Sequence, residues 1–265
     1  FSDLNNPKNQ KDDEDIIKRF AIELKGSNQY TTFKDSIDPK RRLTMFIKEK
    51  NYDYNKISKR DFYHMFLQKM VNYIAEKRSQ KIQKQYDPPF ANYINRHTTS
   101  NGFKEQVVVS AMEVNLDDHP TAIDKKIRTA FTAYKSLFSG ITDQEVQEAR
   151  KLLKSEYSMA YKNNVNLAEA YLDNFIQGSA VPSTKTQKEL YDLLSNINVN
   201  EVQQFADKKA NLLKNKDFIF INIPQNNLPG TKKMTNLFEE VANTPIAYNP
   251  PILNMELSDS ILKFS

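Results

Sequence analysis

The chain has 265 residues, enough for one large domain or one domain with long arms, and core size is not limiting at this length. Hydrophobic residues make up 39% and aromatics 11%, too much for a disordered chain, while five Gly and no Cys exclude glycine-rich phosphate loops, disulfide scaffolds, thiolate metal sites and Cys nucleophiles. The net charge of +5 is mixed along the chain rather than gathered in a stripe, which argues against nucleic acid, and no apolar run nears the ~18 residues of a membrane span.

The first fifteen residues, FSDLNNPKNQKDDED, have linker composition, and residues 1–30 are expected to lead in from a preceding domain. KRFAIELK, at 18–25, alternates weakly and predicts an edge strand. In Arg42–Glu49 the residues Leu43, Met45 and Ile47 share one face, the period of a half-buried strand. Ser58 with Asp61 three residues on reads as a capping box. Phe62, Phe66, Met70, Tyr73 and Ile74 then predict a long amphipathic helix over 58–84, ended by Pro88 and Pro89. Its last turns carry Lys77, Arg78, Lys81 and Lys84, which suit the helix macrodipole and read as a solvated face.

Strands are expected at 90–99 and 103–115, joined by Asn101-Gly102, a hairpin-turn pair. The Val107–Val109 run marks the second as a central strand with both faces covered. Helices follow at about 120–139, closed by Gly140, and at 142–162, started by a Thr142/Glu145 capping box. Shorter ones are expected at 166–178, 184–196 and 199–213, the last capped by Asn198 with Glu201. DFIFINI, at 217–223, is a short apolar final strand. This order predicts an α+β fold: a mixed, mainly antiparallel sheet with helices packed on one face. The body is expected over 31–225, and 226–265, with Pro229, Pro245, Pro250 and Pro251, as an extended arm leading toward a following domain.

Little in the sequence carries chemistry. His64, His97 and His119 are scattered, with no pair at i,i+4, so no metal site and no bound cofactor are expected in this segment. Glu145, Glu148 and Glu156 lie on one predicted helix and Asp117-Asp118 at the start of another, where the dipole alone favours acids. There is no GxSxG elbow, so no catalytic residue is assigned. Tyr86-Asp87-Pro88-Pro89-Phe90 stands out: two prolines fix a rigid turn flanked by aromatics, either a helix-to-strand corner packed on the core or the rigid lip of a cavity. Asp87, Pro88, Pro89 and Phe90 are therefore the candidate peptide-positioning residues.

Several pieces, in this order, resemble a known family. They are Ser36-Ile37-Asp38-Pro39 before a strand, the corner Asp87-Pro88-Pro89-Phe90-Ala91, the helix start Phe138, Gly140, Ile141, Thr142, Glu145, the EARK and SEY pieces of 148–157, and a later short helix with Tyr171 and Phe175. Together they resemble the second, inactive domain of bacterial multi-domain pitrilysin/insulinase-family zinc peptidases (peptidase family M sixteen). The resemblance implies a mitochondrial-processing-peptidase-like metallohydrolase fold, a periplasmic setting, and other domains of the same polypeptide and unfolded peptides as partners. The family's HxxEH motif falls here on His64-Met65-Phe66-Leu67-Gln68, with Leu67 and Gln68 where Glu and His would stand. Zinc is thus expected in a catalytic domain elsewhere in the parent protein, and this chain as one wall of the substrate chamber. A stand-alone protein-interaction module and a self-contained enzyme with an unrecognised site are the alternatives.

Overall fold

The computed structural model describes residues 29–32, 42–50, 58–85, 87–97, 107–116, 122–159, 167–169, 171–172, 183–211, 218–222 and 230–248. Five strands, β1 (Gln29–Thr32), β2 (Arg42–Lys50), β3 (Asn92–His97), β4 (Val107–Asn115) and β5 (Phe218–Asn222), form one sheet in the order β1-β5-β2-β4-β3. β5 runs parallel to β1 and antiparallel to β2, and β4 is antiparallel to both β2 and β3. The sheet is mixed and mainly antiparallel, as expected. The expected strand at 18–25, the Ser36–Pro39 lead-in, and the Asn101-Gly102 turn lie outside the described residues.

Alternation along the strands decides which face is covered. Leu43 pairs with Val114, Met45 with Met112 and Ile47 with Ser110, and all six are buried. On the opposite face Thr44, Phe46, Ala111 and Glu113 are half-buried and Asn92 and Asn115 exposed. Arg42 and Glu113 join across that face at 3.3 Å. β4 is interior, and from Ser110 to Asn115 its side chains are buried on one face and half-buried or exposed on the other. Its Val-rich run had suggested a strand of a doubly covered sheet; the rows that follow, Ser110 to Asn115, alternate in and out instead.

Among the described residues, the long helices of the other layer are α1 (Lys59–Gln83), α2 (Ile123–Ser136), α3 (Asp143–Met159), α4 (Thr184–Asn196), α5 (Val199–Asn211) and α6 (Thr231–Asn243). α1 packs against β3 and against α3, α4 and α5, so its buried face is broad: Phe66, Leu67, Met70, Val71, Ile74, Ala75 and Ile82 all enter the core. Local capping sets the helix starts. Asp61 N–H donates to Ser58 Oγ at 3.3 Å while Ser58 N–H donates back to the Asp61 carboxylate. Thr142 with Glu145 and Asn198 with Glu201 repeat the reciprocal pattern at α3 and α5. Each such cap contributes on the order of 1 kcal/mol.

One expectation fails in the described part of 226–265. Thr231–Asn243 is a helix docked on α2, not an extended arm. Met234, Leu237, Phe238 and Val241 fall at helical spacings of three and four and are buried. The Phe238 ring meets Phe131 of α2 edge-on, with centroids 4.7 Å apart. Lys135, in the last turn of α2, donates to the carbonyls of Val241, Ala242 and Thr244, closing the C-terminus of α6 with a cation. Pro229 and Pro245 bracket the helix, which is why the segment reads as extended by composition.

Candidate functional site

The Asp87–Phe90 corner links α1 to β3. Phe90 is 1% exposed and sits in the core, so it anchors the turn and presents no surface to a ligand. Pro88 and Pro89 are half-buried, and Asp87 is exposed, with its carboxylate 4.0 Å from Lys126 of α2. Ala91 N–H donates to the Glu113 carbonyl at 2.7 Å, so the corner hands the chain straight to the β4 side of β3. Of the four candidates, Asp87, Pro88 and Pro89 form the outer surface and Phe90 holds it in place.

The sheet order separates the strand edges that could accept another chain. Arg42–Glu49 lies in β2, which pairs with β4 on one side and β5 on the other. Over Leu43–Ile47 both of its sides are paired, so it is not an edge. β3 pairs with β4 alone among the described strands, and its other side is an edge that starts at the Asp87–Phe90 corner. Among the described strands β1 is the opposite edge.

The α1 segment His64–Gln68 has no ligand geometry. Leu67 and Gln68 are buried against the core, and His64 is half-buried beside Arg60, Asp61 and Lys208. Burial first, then the charges of Arg60 and Lys208, lower the His64 pKa against the opposing pull of Asp61. Asp61 is itself engaged by the Ser58 cap. Among the described residues no three His, Asp or Glu side chains converge as metal ligands. The side chains of His64–Gln68 do not fit a zinc ion. Next to His64, Tyr63 donates to Glu201 at 2.6 Å, tying α1 to α5. Burial and that carboxylate push its phenol up to about 12.

Arg78 is where the expectation of a solvated basic face fails. Lys77, Lys81 and Lys84 are exposed, but Arg78 is 1% exposed. It lies four residues after Ile74 and four before Ile82, on the buried stripe, a signal the sequence did carry. Its Nε and one terminal nitrogen grip the Glu145 carboxylate, both at 2.7 Å. The guanidinium also donates to the carbonyls of Ser136, Leu137, Ser139 and Gly140, which end α2 and turn into α3. Gly140 makes that turn with φ +58°, in the left-handed region. The Tyr248 ring covers the guanidinium at 4.0 Å. Burial alone would raise the Glu145 pKa, but hydrogen bonds from Arg78 and Thr142 and the guanidinium charge outweigh it and hold the carboxyl low. Gln203 of α5 reaches the same junction, donating to Phe138 O and accepting from Ile141 N–H. The cluster is a structural joint among α1, α2, α3, α5 and the chain after α6.

This α+β fold, a mixed sheet with helices on one face, is similar to that of solved structures of insulinase-like proteases. The first half of the periplasmic protease PqqL from Escherichia coli aligns with TM-score 0.61 at 12% identity, over 91% of this chain and 55% of that one. A ferredoxin protease, FusC, solved in complex with Arabidopsis ferredoxin, aligns with TM-score 0.62 at 15% identity over 84% of this chain and 25% of that one. A predicted insulinase family protease from Yersinia pestis gives 0.57 at 9% identity, covering 82% and 46%. The chain therefore spans little more than half, or less, of each of these protease chains. No family model and no curated protein matches the sequence.

Proposed function

We propose that this chain is a non-catalytic unit of a zinc metallopeptidase, one that walls part of a substrate chamber and positions unfolded peptides for a zinc site on another domain. The observation that carries the reading is the pairing of a protease fold with a first long helix whose motif positions hold Leu67 and Gln68 in place of Glu and His. The β3 edge supports the positioning role, since an extended peptide can add to such an edge through backbone hydrogen bonds with little sequence preference. The rigid prolines at 88 and 89 set where that edge begins. The half-covered face of the sheet is the natural chamber side. A setting outside the cytoplasm follows the periplasmic protease among the similar structures.

The test uses the peptidase that contains this chain, with single Pro substitutions at Ile94 and at Asn95. Backbone N–H groups alternate in direction along an edge strand, so one of the two prolines removes only an outward donor and leaves the sheet intact. The variant that keeps the wild-type melting temperature is the reporter. It should raise KM for long peptides, with kcat for short ones and zinc content unchanged. Wild-type kinetics on long and short substrates alike would leave only a bracing role.

A further inference from the structure

We infer that the groove between α3 and α4 docks an acidic stretch of a protein partner or substrate. This surface belongs to the helical layer, away from the half-covered sheet face and the β3 edge, so it does not depend on the chamber reading.

The groove is a concavity of about 380 Å³, lined from α3 by Arg150, Lys151, Lys154 and Ser155 and from α4 by Tyr191. No carboxylate is among its lining residues. Lys151 and Lys154 form no ion pair among the described residues. Lys154 is held over the Tyr191 ring, its Nζ 4.6 Å from the centroid. Tyr191 is 41% exposed, an aromatic surface left open beside the cations. Arg150 donates from one terminal nitrogen to the Ile197 carbonyl at the end of α4, while its Nε is buried with no acceptor among the described residues.

Three cations in a row are often only a solvated face. Two further features argue for a ligand: one cation is fixed over an aromatic ring, and that ring is itself left exposed beside the cations. Lys151 and Lys154 sit one turn apart on the same side of α3, about 5 Å along its axis. Alternate residues of an extended peptide lie about 6.5 Å apart on one side, so two carboxylates at i and i+2 can reach both lysines. The charges are strung along the groove rather than converging on a point, and no helix N-terminus opens into it, as a phosphate ion would favour. The occupant that fits is an extended run of Asp or Glu, with an apolar or aromatic neighbour against Tyr191.

The experiment titrates the chain into fluorescein-labelled hexaglutamate, with labelled hexaglutamine as the uncharged control, at low and physiological salt. The variants are K151E/K154E in the groove and K125E/K232E, two exposed lysines elsewhere, which make the same change in net charge. All four positions are at the surface, and circular dichroism confirms that each variant is folded. The expected result is salt-sensitive hexaglutamate binding that weakens roughly ten-fold or more in the groove variant and less than about two-fold in the control. An equal loss in both variants would reduce the effect to general charge attraction and overturn the proposal. So would no binding by the wild type, equal binding of hexaglutamine, or full displacement by millimolar inorganic phosphate, which would mark a simple anion pocket.

Discussion

Replacing Arg78 with Met keeps most of the side-chain volume and removes only the guanidinium. What remains is a Glu145 carboxylate stripped of its counter-charge and the carbonyls of Ser136, Leu137, Ser139 and Gly140 without their common donor. Breaking one side of a buried ion pair costs about 3–5 kcal/mol. Orphaned buried carbonyls add about 1 kcal/mol each where water does not reach them. Glu145 keeps 21% of its side chain exposed, which puts the pair at the low end, about 3 kcal/mol, and with half of the carbonyls regaining a water the expected loss is roughly 5 kcal/mol, a large part of the 5–15 kcal/mol that holds an ordinary domain together. In a scan this is a fall in Tm on the order of 10–20 °C. Arg78→Lys should fall between, because one ammonium restores charge but not the two-pronged grip on Glu145 or the reach to four carbonyls. Glu145→Gln should cost less than Arg78→Met, since the guanidinium keeps its carbonyl partners. The pH dependence has a definite sign. The Glu145 pKa is lowered from 4.5 in the folded chain, so its contribution is complete above that value and is lost as the pH falls through the lower, folded pKa. The gap in stability between wild type and Glu145→Gln should therefore be flat from neutral pH down to about 5 and shrink below it. Denaturant unfolding followed by circular dichroism reads each quantity. An Arg78→Met variant within about 1 kcal/mol of wild type would refute the account of Arg78 as the joint's centre.

Phe238→Ala should cost about 3–5 kcal/mol and expose α6 to hydrogen exchange ahead of α1, because the ring is the main contact of α6 with Phe131. A loss below about 1 kcal/mol would mean that α6 is not part of the core. Gly140→Ala should cost about 1 kcal/mol from backbone strain alone, since a Cβ there meets nothing within 4 Å; a stabilised variant would contradict the left-handed turn. Elemental analysis of the purified chain should find no stoichiometric zinc, and a one-to-one content that survives dialysis would overturn the reading of the His64–Gln68 segment.

What was legible in the sequence was what is encoded locally. The capping boxes at Ser58, Thr142 and Asn198 each need only residues three apart, and all three form. The two-residue period of Leu43, Met45 and Ile47 gave both the strand and its buried face. What was missed depends on partners far along the chain. Nothing in Arg42–Glu49 says that β5, some 170 residues later, will cover its other edge. The spacing of Arg78 from Ile74 and Ile82 marks the buried stripe, but Glu145 and the four carbonyls that satisfy its guanidinium there come from elements about 60 residues further on. α6 was hidden by the prolines around it, although Met234, Leu237, Phe238 and Val241 already had helical spacing. The groove residues Arg150, Lys151 and Lys154 were in view as part of a helix, but Tyr191, which turns them into a surface with a floor, comes from another element.

The late arrival of β5 bears on how the chain is made. β2 leaves the ribosome well before the strand that seals one of its sides: Phe218–Asn222 follows the end of β2 by roughly 170 residues. At 5–20 residues per second that interval is about 8–34 s. Throughout it, the apolar row of Leu43, Met45 and Ile47 has an open flank, and a neighbouring nascent chain can pair there instead. β1 has no strand partner until the same moment, because it pairs only with β5 among the described strands. Truncations that end before residue 218 should consequently aggregate rather than yield a smaller soluble body, and a holdase that shields extended segments should matter most during this window.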